Sequence, residues 1–241
     1  MSSDGQQEVG PPASVYYRHS GRVPAASRLS LAARRAVYER FLQVIAPGPD
    51  DRILDIGVTS DTTQQESNFF ERAYPHKHRV TCVGTEDGSH LEGAYPGVTF
   101  VPITAGEPLP FPDGHFDVVF SNAVIEHAGG APRQARFVAE ALRVARRFFI
   151  VTPNRLFPVE THTGLPLVHY LPPALFRAFL NRAGYSLWGS EERLNLLTAA
   201  SFARLFPAGA QVRVEHAGIG AGAFRSNLIA HGRSRVSGEQ W

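Results

Sequence analysis

Hydrophobic positions along the chain change their period twice, and those changes predict its elements. Leu31, Val37, Phe41, Leu42 and Ile45 recur at helical spacing from Leu29 to Ile45, with Arg34, Arg35, Glu39 and Arg40 between them. Pro47-Gly48-Pro49 ends this predicted helix, because proline withholds the backbone donors that a helix needs. Short apolar runs follow at Arg52–Val58, Arg79–Thr85, Val98–Ile103, Phe116–Asn122 and Phe148–Pro153. They are β-branched and aromatic, nearly continuous rather than alternating, as strands covered on both faces are. Between the fourth and fifth runs, Arg133–Arg147 places Phe137, Ala141 and Val144 on one face. Arg133, Arg136, Glu140, Arg143 and Arg147 fall on another, which reads as a crossover helix with a solvated arginine stripe.

The remainder departs from simple strand–helix alternation. Residues 154–196 hold HTGLPLVHYLPP, a predicted helix Ala174–Ala183 stopped by Gly184, and the polar stretch SEERLN. Thr198–Phe206 reads as another helix. Gln211–His216 and Phe224–Ala230 read as two final strands joined by the glycine-rich AGIGAGA, a hairpin-like ending. The fold class expected is α/β: a doubly wound, mostly parallel, seven-stranded Rossmann-like sheet with an insertion after strand five. Residues 1–14 mix Gly, Pro, Ser and Gln without periodicity and read as a disordered arm, leaving 15–241 as one domain.

Composition narrows the function classes. The 241 residues are 43% hydrophobic and 19% charged, an ordinary globular balance. Lys+Arg is 24 against Asp+Glu 22, a net charge of +2, far from the basic excess of a nucleic-acid clamp. Lys77 is the only lysine. The single cysteine, Cys82, makes no internal disulfide, and as a residue of the second run it reads as a small buried apolar group. No apolar stretch approaches the roughly 18 residues of a membrane span, and MSSDGQQEVGPPAS lacks the pattern of an export signal. The expectation is a cytoplasmic protein with neither a membrane nor a nucleic-acid partner.

In an open parallel sheet, ligands bind beyond the carboxyl ends of the strands, near the switch point. The residues there are Asp55–Asp61, Glu86-Asp87, Thr104–Gly106, Ser121–His127 and Thr152–Asn154. Carboxylates after strands one and two are unsuited to phosphate, which needs glycines and amide donors. They suit a cationic or hydroxyl-rich ligand, with Glu86 accepting from both hydroxyls of a ribose. Asp55-Ile-Gly57-Val-Thr-Ser-Asp61 has one glycine, not the G-x-G-x-x-G of a dinucleotide site, and no Walker loop is present. Asp117 begins strand four, so it belongs to the opposite edge of the sheet.

The blocks ILDIGV (53–58), VGTED (83–87), LPFPDGHFDVVFSNAVIEH (109–127) and FFIVTPNR (148–155) resemble the class I S-adenosylmethionine-dependent methyltransferases, in particular their type 11 small-molecule group. The resemblance covers about residues 35–155, the last two strands fitting loosely. It implies S-adenosyl-L-methionine as cofactor. Asp55, Gly57 and Val58 would then approach its methionine portion, Glu86 with Asp87 its ribose, Thr104 and Ala105 its adenine, and Ser121 and Asn122 its sulfonium. The family pattern usually has glycines at the places of Thr59 and Asp61, and an acid where Thr104-Ala105-Gly106 stands.

Methyl transfer is an in-line displacement at an activated donor, so a base is needed only for a hydroxyl or a protonated amine. His127, directly after strand four, and His162 are the candidate catalytic residues. Residues 154–196 would form a lid over the acceptor, with His169 and Tyr170, and Tyr16 and Tyr17 from before the first helix, as candidate substrate contacts. Glu160, His162 and His169 are conceivable metal ligands, but no metal is expected. The acceptor expected is a small molecule, a secondary metabolite methylated on oxygen or nitrogen. The alternative is a protein that binds the cofactor for a cyclase-like or pericyclase-like reaction, or as a non-catalytic partner. Methylation of nucleic acid is disfavoured, since Ser121-Asn-Ala-Val124 stands where base-amine methyltransferases resemble Asn/Asp-Pro-Pro-aromatic.

Overall fold

The computed structural model describes residues 24–234; the arm 1–14 and the candidates Tyr16 and Tyr17 lie outside the described residues. Helix α1 (Pro24–Val44) buries Val37 and Phe41, and Ile45 follows them into the core, while Leu42 turns outward at 39% exposure. Five parallel strands follow as β1 (Ile53–Ile56), β2 (Val80–Gly84), β3 (Thr99–Pro102), β4 (Phe116–Asn122) and β5 (Ala145–Pro153). β6 (Gln211–Ala217) and β7 (Asn227–Arg233) complete a seven-stranded sheet in the order β3-β2-β1-β4-β5-β7-β6, with β7 antiparallel to both neighbours.

Separate apolar clusters cover the two faces, which is why the runs read as continuous. One gathers Phe41, Phe70, Phe120 and Phe149, the other Phe116, Phe148, Phe202 and Val138. Phe41 meets Phe70, Phe120 and Phe149 edge-on at centroid distances of 5.4, 5.3 and 5.4 Å. Each such pair is worth about 0.5–1.5 kcal/mol beyond its buried area, so one side chain fastens α1 across the sheet. Cys82 is fully buried in β2, where burial pushes its thiol pKa up.

Several boundaries differ from the expected ones. The crossover helix is α4 (Ala131–Val144), and the chain passes directly into β5, whose pairing with β4 begins at Ala145. Arg147 therefore lies on a strand, not on the helix, and donates to the Ile45 carbonyl at 2.9 Å and to Asp51 at 2.6 Å. Arg143 is not a freely solvated charge either. It binds Glu140, Asp113 and the carbonyls of Leu109 and Phe111, tying the LPFPDG segment to α4. β7 begins at Asn227 because residues Gly222–Phe224 form a single 3-10 turn. Asp117 accepts from the Arg52 amide at the amino end of β4, away from the crevice.

Short helices α2 (Phe69–Ala73) and α3 (Leu91–Ala94) flank β2, and α6 (Ala199–Ala203) precedes β6. Thr198 and Ser201 cap α6 reciprocally, but it stops after five residues, short of Phe206. The segment after β5 carries α5 (Pro173–Arg182) and has a small core of its own, formed by Phe176, Leu180, Trp188 and Leu194. Isolated bridges close it, Asn154–Leu197 across its base and Val159–Pro166 within it. No helix among the described residues is long and apolar enough to cross a membrane.

Candidate functional site

A cavity of about 930 Å³ lies beyond the carboxyl ends of β1, β2, β4 and β5, where the strand order reverses. Its two ends differ in chemistry. One is built by the loops after β1 and β2, the other by the 3-10 turn Ile125–His127 and the segment after β5.

At the first end, Gly57 turns the chain with φ +107°, and a side chain there would collide with Val124 from the loop after β4. Glycine is thus required at this one point of the loop. Where further glycines were expected, Asn68 and Asp61 hold the backbone instead. Asn68 accepts from the Thr59 amide and donates to the carbonyls of Thr59 and Asp61. Asp61 accepts from Thr63 and Ser67, and these bonds, outweighing its burial, hold its pKa below the usual carboxylate value. The Ser60 amide and hydroxyl both donate to Glu86 Oε2 at 2.9 Å, coupling the loop after β1 to the carboxylate after β2.

Asp55, 7% exposed, faces the fully buried Glu71 of α2. Burial, then mutual repulsion, raises the Asp55 pKa well above the ordinary value; burial also raises that of Glu71. Two carboxylates so placed retain a proton between them. Arg34 of α1 acts on both and lines the same end. Acids, a glycine approach and a volume near the upper range for ligand pockets fit a large cationic nucleoside.

The opposite end is a cluster. His127 Nδ1 lies 2.6 Å from the Arg193 carbonyl and His162 Nδ1 lies 2.7 Å from Glu160 Oε1, so each ring nitrogen faces an acceptor. The two Nε2 atoms then face each other at 3.2 Å. Glu160 Oε2 accepts from the Thr163 amide and hydroxyl. Burial opposes charge on Glu160, but His162 and Thr163 outweigh it and bring its pKa to about 2. Burial likewise works against charge on His162, yet Glu160 and Glu126 raise its pKa. His127 is driven down to about 3 by burial and by its neighbour. Glu126, fully buried, is raised by burial; its Oε2 accepts from Thr152 at 3.0 Å and its Oε1 has no hydrogen-bond partner. Trp188 lies against both imidazoles, at 5.5 Å and 4.9 Å between centroids.

The structure brings Asp55, Gly57, Val58, Glu86, Thr104, Ala105, Asn122, His127 and His162 to the one cavity. It does not bring Asp87, which is exposed and turns to the Ser89 amide. Ser121 is fully buried within the sheet, its hydroxyl donating to the Ile56 carbonyl. His169 is 1% exposed and bonded to the Phe157 carbonyl, and Tyr170 donates to the Leu156 carbonyl. His169 therefore braces the inserted segment from within, Tyr170 lies on its surface, and neither lines the cavity. A His127 with pKa about 3 is a weak proton acceptor, whereas His162 has the orienting carboxylate.

Sequence reasoning missed Arg34, Glu71, Glu126, Asn68 and Trp188. Glu126 is adjacent to a recognised candidate, so its position beside His127 was the available signal. The others come from elements that carried no motif.

The pattern of the family described as "methyltransferase domain" matches residues 62–148. Among solved structures, a protein from Pyrococcus horikoshii superposes with TM-score 0.58 at 13% identity, over 91% of this chain and 98% of that one. An S-adenosylmethionine-dependent methyltransferase from Mesorhizobium loti gives TM-score 0.52 at 16% identity, over 83% of this chain and 99% of that one. The N-methyltransferase NodS from Bradyrhizobium japonicum, in complex with S-adenosyl-L-homocysteine, gives 0.51 at 12% identity, over 83% and 86% respectively. No curated protein sequence matches the chain. The fold is that of the class I methyltransferases. Residues 62–148 are similar to that methyltransferase domain, and the fold is the one shared with these solved structures.

Proposed function

We propose that the protein methylates a hydroxyl or amine of a small molecule, a secondary metabolite, by in-line displacement. One observation carries the reading: a single cavity runs from Glu86 and Asp55 to His127 and His162. S-adenosylmethionine, when bound, supplies a methyl group on a cationic sulfonium. Glu86 accepts from the sugar hydroxyls, while Thr104 and Ala105 flank the base at the cavity mouth. Asp55 and Asn122 face the charged portion, and the backbone of Gly57 and Val58 lets it approach closely.

The acceptor occupies the end beneath the 154–196 segment, which acts as its lid. Phe157, Val159 and Gly164 from that segment line the cavity and keep water from the reacting groups. His162, with Nδ1 held by Glu160, takes the proton that a hydroxyl or ammonium acceptor releases.

Incubation with methyl-labelled cofactor and a panel of phenols, amines and carboxylates tests this reading. Label on an acceptor supports it. Tight binding of cofactor with a converted product lacking added methyl would favour a cyclase-like reaction on the same fold.

A further inference from the structure

We propose that Glu126, His127 and His162 together bind one divalent cation of the zinc class at the acceptor end of the cavity. The inference rests on atoms already fixed by the fold. His127 Nε2 and His162 Nε2 are 3.2 Å apart, and Glu126 Oε1 lies 3.9 Å from each. A point in the plane of these three atoms is roughly 2.1 Å from all of them, the length of a zinc bond to histidine nitrogen or carboxylate oxygen. Among the described residues this is the group of His, Cys, Asp or Glu side chains whose donor atoms converge, all within 4.8 Å.

The surroundings match what a bound ion requires. A ligating imidazole presents one nitrogen to the metal and gives its other N–H to a carbonyl or carboxylate, which fixes ring and tautomer. His127 Nδ1 has the Arg193 carbonyl, and His162 Nδ1 has Glu160. Glu126 Oε2 is held by Thr152, leaving Oε1 aimed at the two imidazoles. Glu126 is 0% exposed, and that oxygen has no hydrogen-bond partner.

A proton shared between the two imidazoles would account for their approach but would leave Glu126 Oε1 unsatisfied. A cation accounts for all three atoms at once. Glu126 and Glu160 supply the two negative charges that balance it. His127 and His162 line the cavity, so a fourth coordination position opens toward the acceptor, as in catalytic zinc sites. Only the next step rests on the methyl-transfer reading: an acceptor hydroxyl coordinated there would give up its proton to solvent water more readily as it binds, the ion and not His162 stabilising the resulting alkoxide.

The test uses the full chain, stripped with chelator, then titrated with Zn2+ by calorimetry and with Co2+ by visible absorption. One ion per chain is expected, with the intense visible bands of four-coordinate Co2+. Glu126→Gln and His162→Gln should each weaken Zn2+ binding about 100-fold, with circular dichroism confirming the fold. If Glu126→Gln does not fold, His162→Gln and the wild-type Co2+ spectrum decide. Absence of Zn2+ and Co2+ binding by the wild type would overturn the proposal, as would affinity unchanged in the variants, which would place any ion elsewhere. Binding of S-adenosyl-L-homocysteine to the wild type is measured in parallel. Nucleoside binding without metal binding sinks only this inference, and metal binding without nucleoside binding sinks only the methyl-transfer reading.

Discussion

The two ends of the cavity bury carboxylates in opposite ways. Asp55 and Glu71 face each other, and burial with repulsion keeps a proton on the pair. Glu126 and Glu160 instead surround two imidazoles, and Glu160 is held ionised by His162 and Thr163. The donor end is therefore an acid store that a cationic ligand can ionise, and the acceptor end is a pair of oriented imidazoles held beside an ionised carboxylate. The difference teaches where charge can be placed along the cavity. A cationic nucleoside belongs at the first end, and a group that sheds a proton belongs at the second, beside the imidazoles.

The largest effect that would break this contrast is at Trp188, which packs on both imidazoles and anchors the small core of the inserted segment. Trp188→Ala should cost about 3–5 kcal/mol in chemical denaturation, with S-adenosyl-L-homocysteine affinity changed only a few-fold. Loss of nucleoside binding in the folded variant would show that the two ends are not separable. Glu86→Ala should act in the reverse sense. It removes charge-assisted hydrogen bonds worth about 1.5–3 kcal/mol, so calorimetry should show affinity for S-adenosyl-L-homocysteine falling about 10- to 100-fold.

Asn68→Ala comes next. It deletes three side-chain bonds to the loop after β1 and leaves alanine at φ +46°, so thermal denaturation should report a loss of about 1–3 kcal/mol. The smallest effect is a pH slope. Raised carboxyl pKa values favour the protonated form in the folded state, so their stabilisation is full below the unfolded pKa, about 4, and is lost as pH rises through the folded values. Glu71→Gln removes that loss. Its stability relative to the wild type should improve between pH 5 and pH 8, on the order of 1 kcal/mol, measured by urea titration. A relative stability that falls over this range would mean that the pair is ionised in the native protein.

The sheet and the donor end were legible because their signals are local. Apolar runs buried on both faces announced the parallel strands, and Asp55, Gly57 and Glu86 stand at strand ends that a doubly wound topology must bring together. The acceptor end was hidden by distance along the chain. His162, with Glu160 behind it, and Trp188 reach His127 only after the segment following β5 folds back, and no spacing encodes that. His169 and Tyr170 look polar enough for a site, yet their bonds to local carbonyls hold them away from the cavity. The missing glycines of the first loop were legible as an absence, while their replacement by Asn68 was not. A side chain that substitutes for backbone freedom leaves no pattern in sequence.

The most direct measurement is a crystal structure of the protein grown with S-adenosyl-L-homocysteine. The account predicts its ribose hydroxyls within hydrogen-bond distance of Glu86, its adenine beside Thr104 and Ala105, and its sulfur pointing toward the His127–His162 end. Density for the compound at any other place on the protein, or a ribose turned away from Glu86, would contradict it.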